Sequence, residues 1–269
     1  MIGQKYLQNL LKDFTIDTFP RSLILIGEKG CGRHTYCNLI KERLESTSRI
    51  PIQLNINDIT NNISLDFIEE IHKRVEPSIY IIDSSLISIR EQNIILKLLE
   101  EPMQNTFIII ICEDDVQLLP TVLNRCQRWY FESYTDDELS NFSQDSNLLE
   151  VLHTPGKLLE FKGTNLNEYK DLALKMLDKM CVASLPNALS ITDKIAFKNE
   201  KDKLNLELFQ NVLTNECMTY IHKTQDMTYW DEISQYLIKS QIPKVDQKIL
   251  FDNFIVSLWE SVHNEDKRT

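Results

Sequence analysis

The stretch Ser22-Leu23-Ile24-Leu25-Ile26-Gly27-Glu28-Lys29-Gly30-Cys31-Gly32-Arg33-His34-Thr35 decides the fold. An unbroken apolar run is what a strand covered on both faces requires. It ends in a loop with three glycines, and the residues beyond, His34 to Glu45, carry helical spacing. Strand, glycine loop and helix in that order are the setting of a phosphate-binding loop. The glycines let backbone N–H groups wrap an anion, and the helix N-terminus adds its positive end.

Outward from this unit the same alternation continues. Residues 51–56 suggest a second strand. Residues 64–75 open on a Ser cap and an acidic first turn, a helix start. Residues 78–83 form a buried strand ending in Asp83, and residues 88–101 a strong helix closed by Pro102. Residues 107–112 form another buried strand, 116–124 a short helix, and 128–131 a final strand. Apolar strands alternating with helices predict a parallel α/β sheet flanked by helices. Upstream, residues 4–14 read as a helix with Tyr6, Leu7, Leu10, Leu11 and Phe14 on one face, broken at Phe19-Pro20.

Beyond about residue 133 the pattern is almost wholly helical. Thr154-Pro155-Gly156 opens the last helix of a small helical region. Segments 168–182, 185–199, 204–223, 228–240 and 246–263 then predict a helical bundle with short loops. The expected division is an α/β domain over 1–133, a small helical lid over 134–164, and a helical collar, an oligomerisation domain, over 165–269.

Composition narrows the function. A net charge of −11 over 269 residues argues against a protein that holds DNA alone by neutralising phosphates. The apolar runs are too short for a membrane span, and the N-terminus lacks a secretory signal pattern, so a cytoplasmic protein is expected. The six cysteines, Cys31, Cys37, Cys112, Cys126, Cys181 and Cys217, form no CxxC pair. They are expected as free thiols packed as small hydrophobes, with no zinc. The five histidines are scattered, and none is read as a metal ligand.

The glycine loop departs from a working one. Such a loop ends Gly-Lys-Ser/Thr, with Lys on the phosphates and the hydroxyl on Mg²⁺. Here Arg33 and His34 hold those places, and Thr35 comes one position late. Arg keeps the charge as a bulkier fork, whereas His cannot replace an oxygen ligand of Mg²⁺. At the end of the 78–83 strand, Asp83 is followed by Ser84 and Ser85. Neither can deprotonate water near neutral pH, so the water-activating carboxylate is missing, and Asp83 is expected to cap a helix or serve structurally. Three readings of the loop stay open: a pocket that still hydrolyses ATP, a vestigial one that takes ATP, ADP or phosphate without hydrolysis, or glycines that merely make a tight turn.

One stretch carries a family resemblance. Ile81-Ile82-Asp83 precedes Asn93-Ile94-Ile95-Leu96-Lys97-Leu98-Leu99-Glu100-Glu101-Pro102. The strand Phe107–Ile111 follows, then Leu118-Leu119-Pro120-Thr121-Val122-Leu123-Asn124-Arg125-Cys126-Gln127. In order and spacing this resembles the bacterial clamp-loader subunits of the replicative DNA polymerase, an AAA+ family, and their delta-prime type most closely. Weaker similarity continues through Thr154-Pro155-Gly156-Lys157 and the helical third, so it covers most of the chain.

The resemblance implies an AAA+ fold and a set of roles. Arg125 stands where the family places a trans-acting arginine finger aimed at the phosphate bound by a neighbouring subunit; Asn124 replaces the family's Ser. Read without its flanks, Arg125 is a surface residue in an ion pair. Lys157 stands where the family often has a nucleotide-sensing Arg, and Glu113-Asp114 where active members place a polar sensor. The family's four-cysteine zinc module is absent. Arg90 and Lys97 lie on the helix that, in the family, tracks primer-template DNA; on their own they read equally as a solvated helix face. The implied partners are gamma/tau-like ATPase subunits, a delta-like subunit, a sliding clamp and primer-template DNA. The resemblance favours a non-catalytic stator subunit. The alternatives are a weak clamp-loader ATPase, or a standalone DNA-binding AAA+ factor, which the acidic charge disfavours.

Overall fold

The structure, a computed structural model, describes residues 3–55, 63–101, 103, 106–182, 184–186, 189, 200–224, 230–240 and 246–264. Its centre is a five-stranded parallel sheet in the order β2-β3-β4-β1-β5. The strands are β1 Ser22–Ile26, β2 Gln53–Asn55, β3 Ser78–Asp83, β4 Thr106–Cys112 and β5 Gln127–Tyr130. The helices between them are α1 Lys5–Lys12, α2 Arg33–Ser48, α3 Leu65–Lys73, α4 Ile89–Glu100 and the short α5 Pro120–Leu123.

Successive strand side chains point to opposite faces, and both faces are buried. Ile24, Tyr80, Ile82, Ile108 and Ile110 pack on Ile68 and Ile71 of α3 and on Ile95, Leu98 and Leu99 of α4. Leu23, Leu25, Ile79, Ile81, Phe107, Ile109 and Ile111 pack on Leu7 and Leu11 of α1 and on Tyr36, Cys37, Ile40 and Leu44 of α2. Each such side chain stabilises the sheet by about 1.5–3 kcal/mol relative to exposure. Three strands thus read as unbroken apolar runs because each lends alternate residues to two cores. Tyr36 Oη donates to Leu7 O at 2.6 Å and joins α2 to α1.

Local chemistry sets the helix ends. Ser64 caps α3 by accepting from Phe67 N. Ser88 and Glu91 form a reciprocal capping box at the start of α4. Two expectations need correction. Tyr6 does not share the buried face of α1: it is exposed, while Leu7 and Leu11 are buried. The segment 116–124 is not one helix but a 3-10 turn, Asp115–Gln117, followed by α5. Pro120 is the cause, since it opens α5 and forces Leu119 into an extended conformation. Pro102, Ile56 and most of the 185–199 helix lie outside the described residues.

The chain divides into two compact units. One holds the sheet and its helices through Leu139, together with Thr154–Lys157. The other runs over Ser140–His153 and resumes at Leu158. It contains the helices Ser146–Val151, Leu166–Val182, Glu200–Thr224, Trp230–Ser240 and Gln247–Asn264. Phe209 meets Phe251 edge-on, and Tyr236 stacks on Phe254 with ring centroids 4.3 Å apart. Among the described residues, no helix is long and apolar enough to cross a membrane.

Candidate functional site

Strand register brings three loops together at the carboxyl edge of the sheet, where parallel α/β proteins build their sites. Ile26 of β1 lies beside Cys112 of β4, and Asp83 of β3 beside Ile111. The glycine loop, the Asp83 loop and the Glu113 loop therefore leave the sheet side by side.

The glycine loop has the backbone that its sequence predicts. Gly30 and Gly32 have φ of 84° and 100°, a region costly for any residue with a Cβ. Gly32 occupies the N-cap of α2 and offers no side-chain cap. What the loop's carbonyls bond to was not visible in the sequence. Lys29 O accepts from Thr154 Oγ1 at 2.9 Å, Gly30 O from Gly156 N at 2.9 Å, and Cys31 O from Tyr134 Oη at 2.7 Å. Lys157 Nζ lies 3.3 Å from Glu28 Oε1. Gly156 packs so closely that a Cβ there would stand 2.6 Å from Gly30 Cα. Residues 134 and 154–157 thus bond directly to the loop, with no space left between Gly30 and Gly156.

Arg33 opens α2, and His34 and Thr35 in the same turn are exposed. Burial pushes the thiols of Cys31, Cys37 and Cys112 up to about 11, about 12 and about 12, and the Arg33 charge opposes each rise. Cys126 and Cys217 are likewise raised by burial, each to about 12. These five cysteines are free thiols. Among the described residues, no group of three or more His, Cys, Asp or Glu is placed to hold a metal.

Asp83 accepts from Ser85 N at 2.9 Å and Ser85 Oγ at 2.7 Å, capping the turn Ser84–Leu86. Ser84 is buried and donates to Gln117 Oε1 at 2.6 Å, which also accepts from Glu113 N at 3.1 Å. Gln92 Nε2 donates to Gln117 O at 2.9 Å, and Gln92 Oε1 accepts from Leu119 N at 2.8 Å. This buried chain links the Asp83 loop, α4 and the start of α5. Sequence reasoning passed over both glutamines. One signal was present: Gln92 sits three and seven residues before Ile95 and Leu99, on the core stripe of α4, where a polar residue calls for partners.

Arg125 follows α5. Its Nη2 lies 2.5 Å from Glu100 Oε1, its Nη1 donates to Thr121 O at 2.8 Å, and its side chain is 34% exposed. In this chain it is therefore a surface arginine in an ion pair. Arg90 and Lys97 are exposed on α4. Seven residues apart, they share a face two turns long, about 10 Å.

A family model described as DNA polymerase III, delta subunit, matches residues 48–135, which include Asp83, α4 and Arg125 but not the glycine loop. The DNA polymerase III subunit gamma of Buchnera aphidicola is 25% identical over 77% of this chain. The subunit gamma/tau of Mycoplasma genitalium is 24% identical over 82% of this chain, and the subunit delta' of Haemophilus influenzae 26% identical over 38%. The chain is similar to DNA polymerase III subunits of the gamma, gamma/tau and delta' kinds. The chain spans 60%, 40% and 33% of the lengths of those three relatives. The Ile81–Gln127 stretch falls within the matched region, so the match and the buried Ser84–Gln117–Gln92 chain cover the same part of the sheet.

Proposed function

We propose that the chain is a non-catalytic, delta-prime-like subunit of a DNA polymerase clamp loader. It assembles in the cytoplasm with gamma/tau-like ATPase subunits and a delta-like subunit. The assembly places a sliding clamp on primed DNA, and Arg125 acts in trans at a neighbour's ATP site. The observation that carries the non-catalytic reading is the glycine loop. Its carbonyls at Lys29, Gly30 and Cys31 are bonded to the protein itself, and Gly156 lies against Gly30. A loop held this way keeps its shape without nucleotide. Arg33 and His34 stand where phosphate and Mg²⁺ contacts are needed, and Ser84, where a water-activating carboxylate is needed, is buried and bonded to Gln117.

Arg125 supports the trans role by its chemistry. A planar, permanently charged fork can grip developing phosphoryl charge at two points. Arg90 and Lys97 add exposed positive charge for DNA backbone contacts, which are independent of sequence. A second reading, a weak clamp-loader ATPase, is favoured by one observation: the relatives matched over most of the chain are gamma-type subunits.

ATPase measurement separates the two. The purified chain is expected to be silent alone. In the complex with its ATPase partners, Arg125→Ala is expected to lower turnover at the adjoining site by about 10³-fold. Turnover by the isolated chain that Arg33→Ala abolishes would establish the second reading, and an unchanged complex would remove the trans role.

A further inference from the structure

Arg125 does not wait with an empty guanidinium. Nη2 is paired with Glu100 and Nη1 with the Thr121 carbonyl. Both partners sit on anchored elements. Glu100 is the last residue of α4, whose preceding turn buries Leu98 and Leu99. Thr121 lies in α5, fixed by buried Val122 and by the bond from Leu119 N to Gln92. The two partners differ in what they can do next. The Thr121 carbonyl is backbone and stays in place. The Glu100 carboxylate ends a flexible side chain that is 50% exposed, and it can swing into water. A carboxylate and a phosphoryl group seek the same N–H edge of a guanidinium.

We infer that Glu100 is an exchangeable clasp on Arg125, a positioning residue that holds the guanidinium against its own chain until a phosphoryl group displaces the carboxylate. The inference rests on the trans-arginine reading above. The Thr121 carbonyl keeps Nη1 oriented throughout, so the exchange replaces one anion by another and does not require Arg125 to search for its position. Because the pair is partly exposed, its removal changes the exchange by a small factor, about two- to fivefold.

Two measurements test this, and they fail separately. In the full chain labelled with ¹⁵N-arginine, the Arg125 side-chain signals are expected to be restrained. Glu100→Gln should let them average and should strengthen their response to inorganic pyrophosphate by about two- to fivefold. Glu100 is half exposed, so this variant keeps the fold. Identical Arg125 signals and pyrophosphate responses in the two proteins would overturn the clasp. In the complex with its ATPase partners, Glu100→Gln should raise turnover by a similar factor, and Glu100→Gln with Arg125→Ala should match Arg125→Ala alone. A fall in turnover with Glu100→Gln would make the carboxylate a helper of the finger and overturn the clasp. No effect of Arg125→Ala, with the expected signals in the free chain, would remove the trans reading while leaving the clasp as a contact within the chain.

Discussion

Gly156→Ala is the perturbation whose cost the structure fixes most directly. A Cβ at Gly156 would stand 2.6 Å from Gly30 Cα, 2.9 Å from Gly30 O and 3.2 Å from the Gly30 carbonyl carbon. All three are backbone atoms and cannot rotate away. Either the glycine loop or the 154–157 segment must move, which stretches the bonds from Gly156 N to Gly30 O and from Thr154 Oγ1 to Lys29 O. Overpacking of this kind costs about 1–3 kcal/mol, and a weakened hydrogen bond adds about 0.5–1.5 kcal/mol. The stiffer unfolded chain of an alanine variant returns about 0.4–1 kcal/mol. Net destabilisation of the sheet unit is therefore expected at about 0.5–4 kcal/mol, and Gly156→Val should cost more. Gly163→Ala is the control: φ is +83° there, but nothing lies within 4 Å of the added Cβ, so strain acts without a clash. The assay is urea unfolding of the full chain read by Trp129, which is buried against Phe14, Phe19 and Tyr36. Trp230→Phe and Trp259→Phe leave it as the reporter. If Gly156→Val unfolds within about 0.5 kcal/mol of the parent, the range of an ordinary surface change, the loop and the 154–157 segment are not joined as described.

Two further outcomes follow from the buried groups. Ser84→Glu puts back a carboxylate after Asp83, but at a fully buried position bonded to Gln117. It is expected to lower stability by about 2 kcal/mol or more without creating ATPase activity, and gained turnover with unchanged stability would contradict the burial argument. Stability should also fall with rising pH above about 9. Cys37 and Cys112 have thiols raised by burial from 9.0 to about 12. Between those values the unfolded chain loses protons that the folded chain keeps. The stabilisation is thus complete below about 9 and lost by about 12, at about 1.4 kcal/mol per pH unit per thiol. Urea midpoints measured at pH 8 and pH 10 should separate, and by less in Cys37→Ala; equal midpoints would count against the burial of these thiols.

Local signals carried most of the sheet. The runs at Ser22–Ile26, Ser78–Asp83 and Thr106–Cys112 became strands at their expected places because each lies between two cores. Ser64 marked a helix start because a cap acts within four residues, and the structure shows Ser88 capping α4 in the same way. Tyr6 misled because it borders the stripe that Leu7 and Leu11 occupy, and a ring with a hydroxyl tolerates water. The 116–124 segment misled because the apolar pattern outweighed Pro120 in the reading, whereas the backbone obeys the proline. The polar contacts of the site were hidden for another reason. Gly30 meets Gly156, Cys31 meets Tyr134, Ser84 meets Gln117 and Arg125 meets Glu100 across 126, 103, 33 and 25 positions. No periodicity in the sequence spans such gaps.

The substitutions and the contacts explain one another. A loop that must open and close on nucleotide needs polar groups whose best partner is the ligand. Here Glu28, Lys29, Gly30 and Cys31 bond to Lys157, Thr154, Gly156 and Tyr134, and Asp83 and Ser84 bond to Ser85 and Gln117. Opening such a loop would forfeit several hydrogen bonds with nothing to replace them, at about 0.5–1.5 kcal/mol each. The Ser84 hydroxyl fits a buried bond that a carboxylate would make costly, so on the proposed reading the residue standing in the base's place also tightens the sheet edge. On the other side of α4, Arg125 is tied through a half-exposed carboxylate, an arrangement that exchanges partners at little cost. One edge of the sheet thus keeps a single shape while Arg125 can trade one anion for another, and the proposed stator with a donated arginine would use both properties.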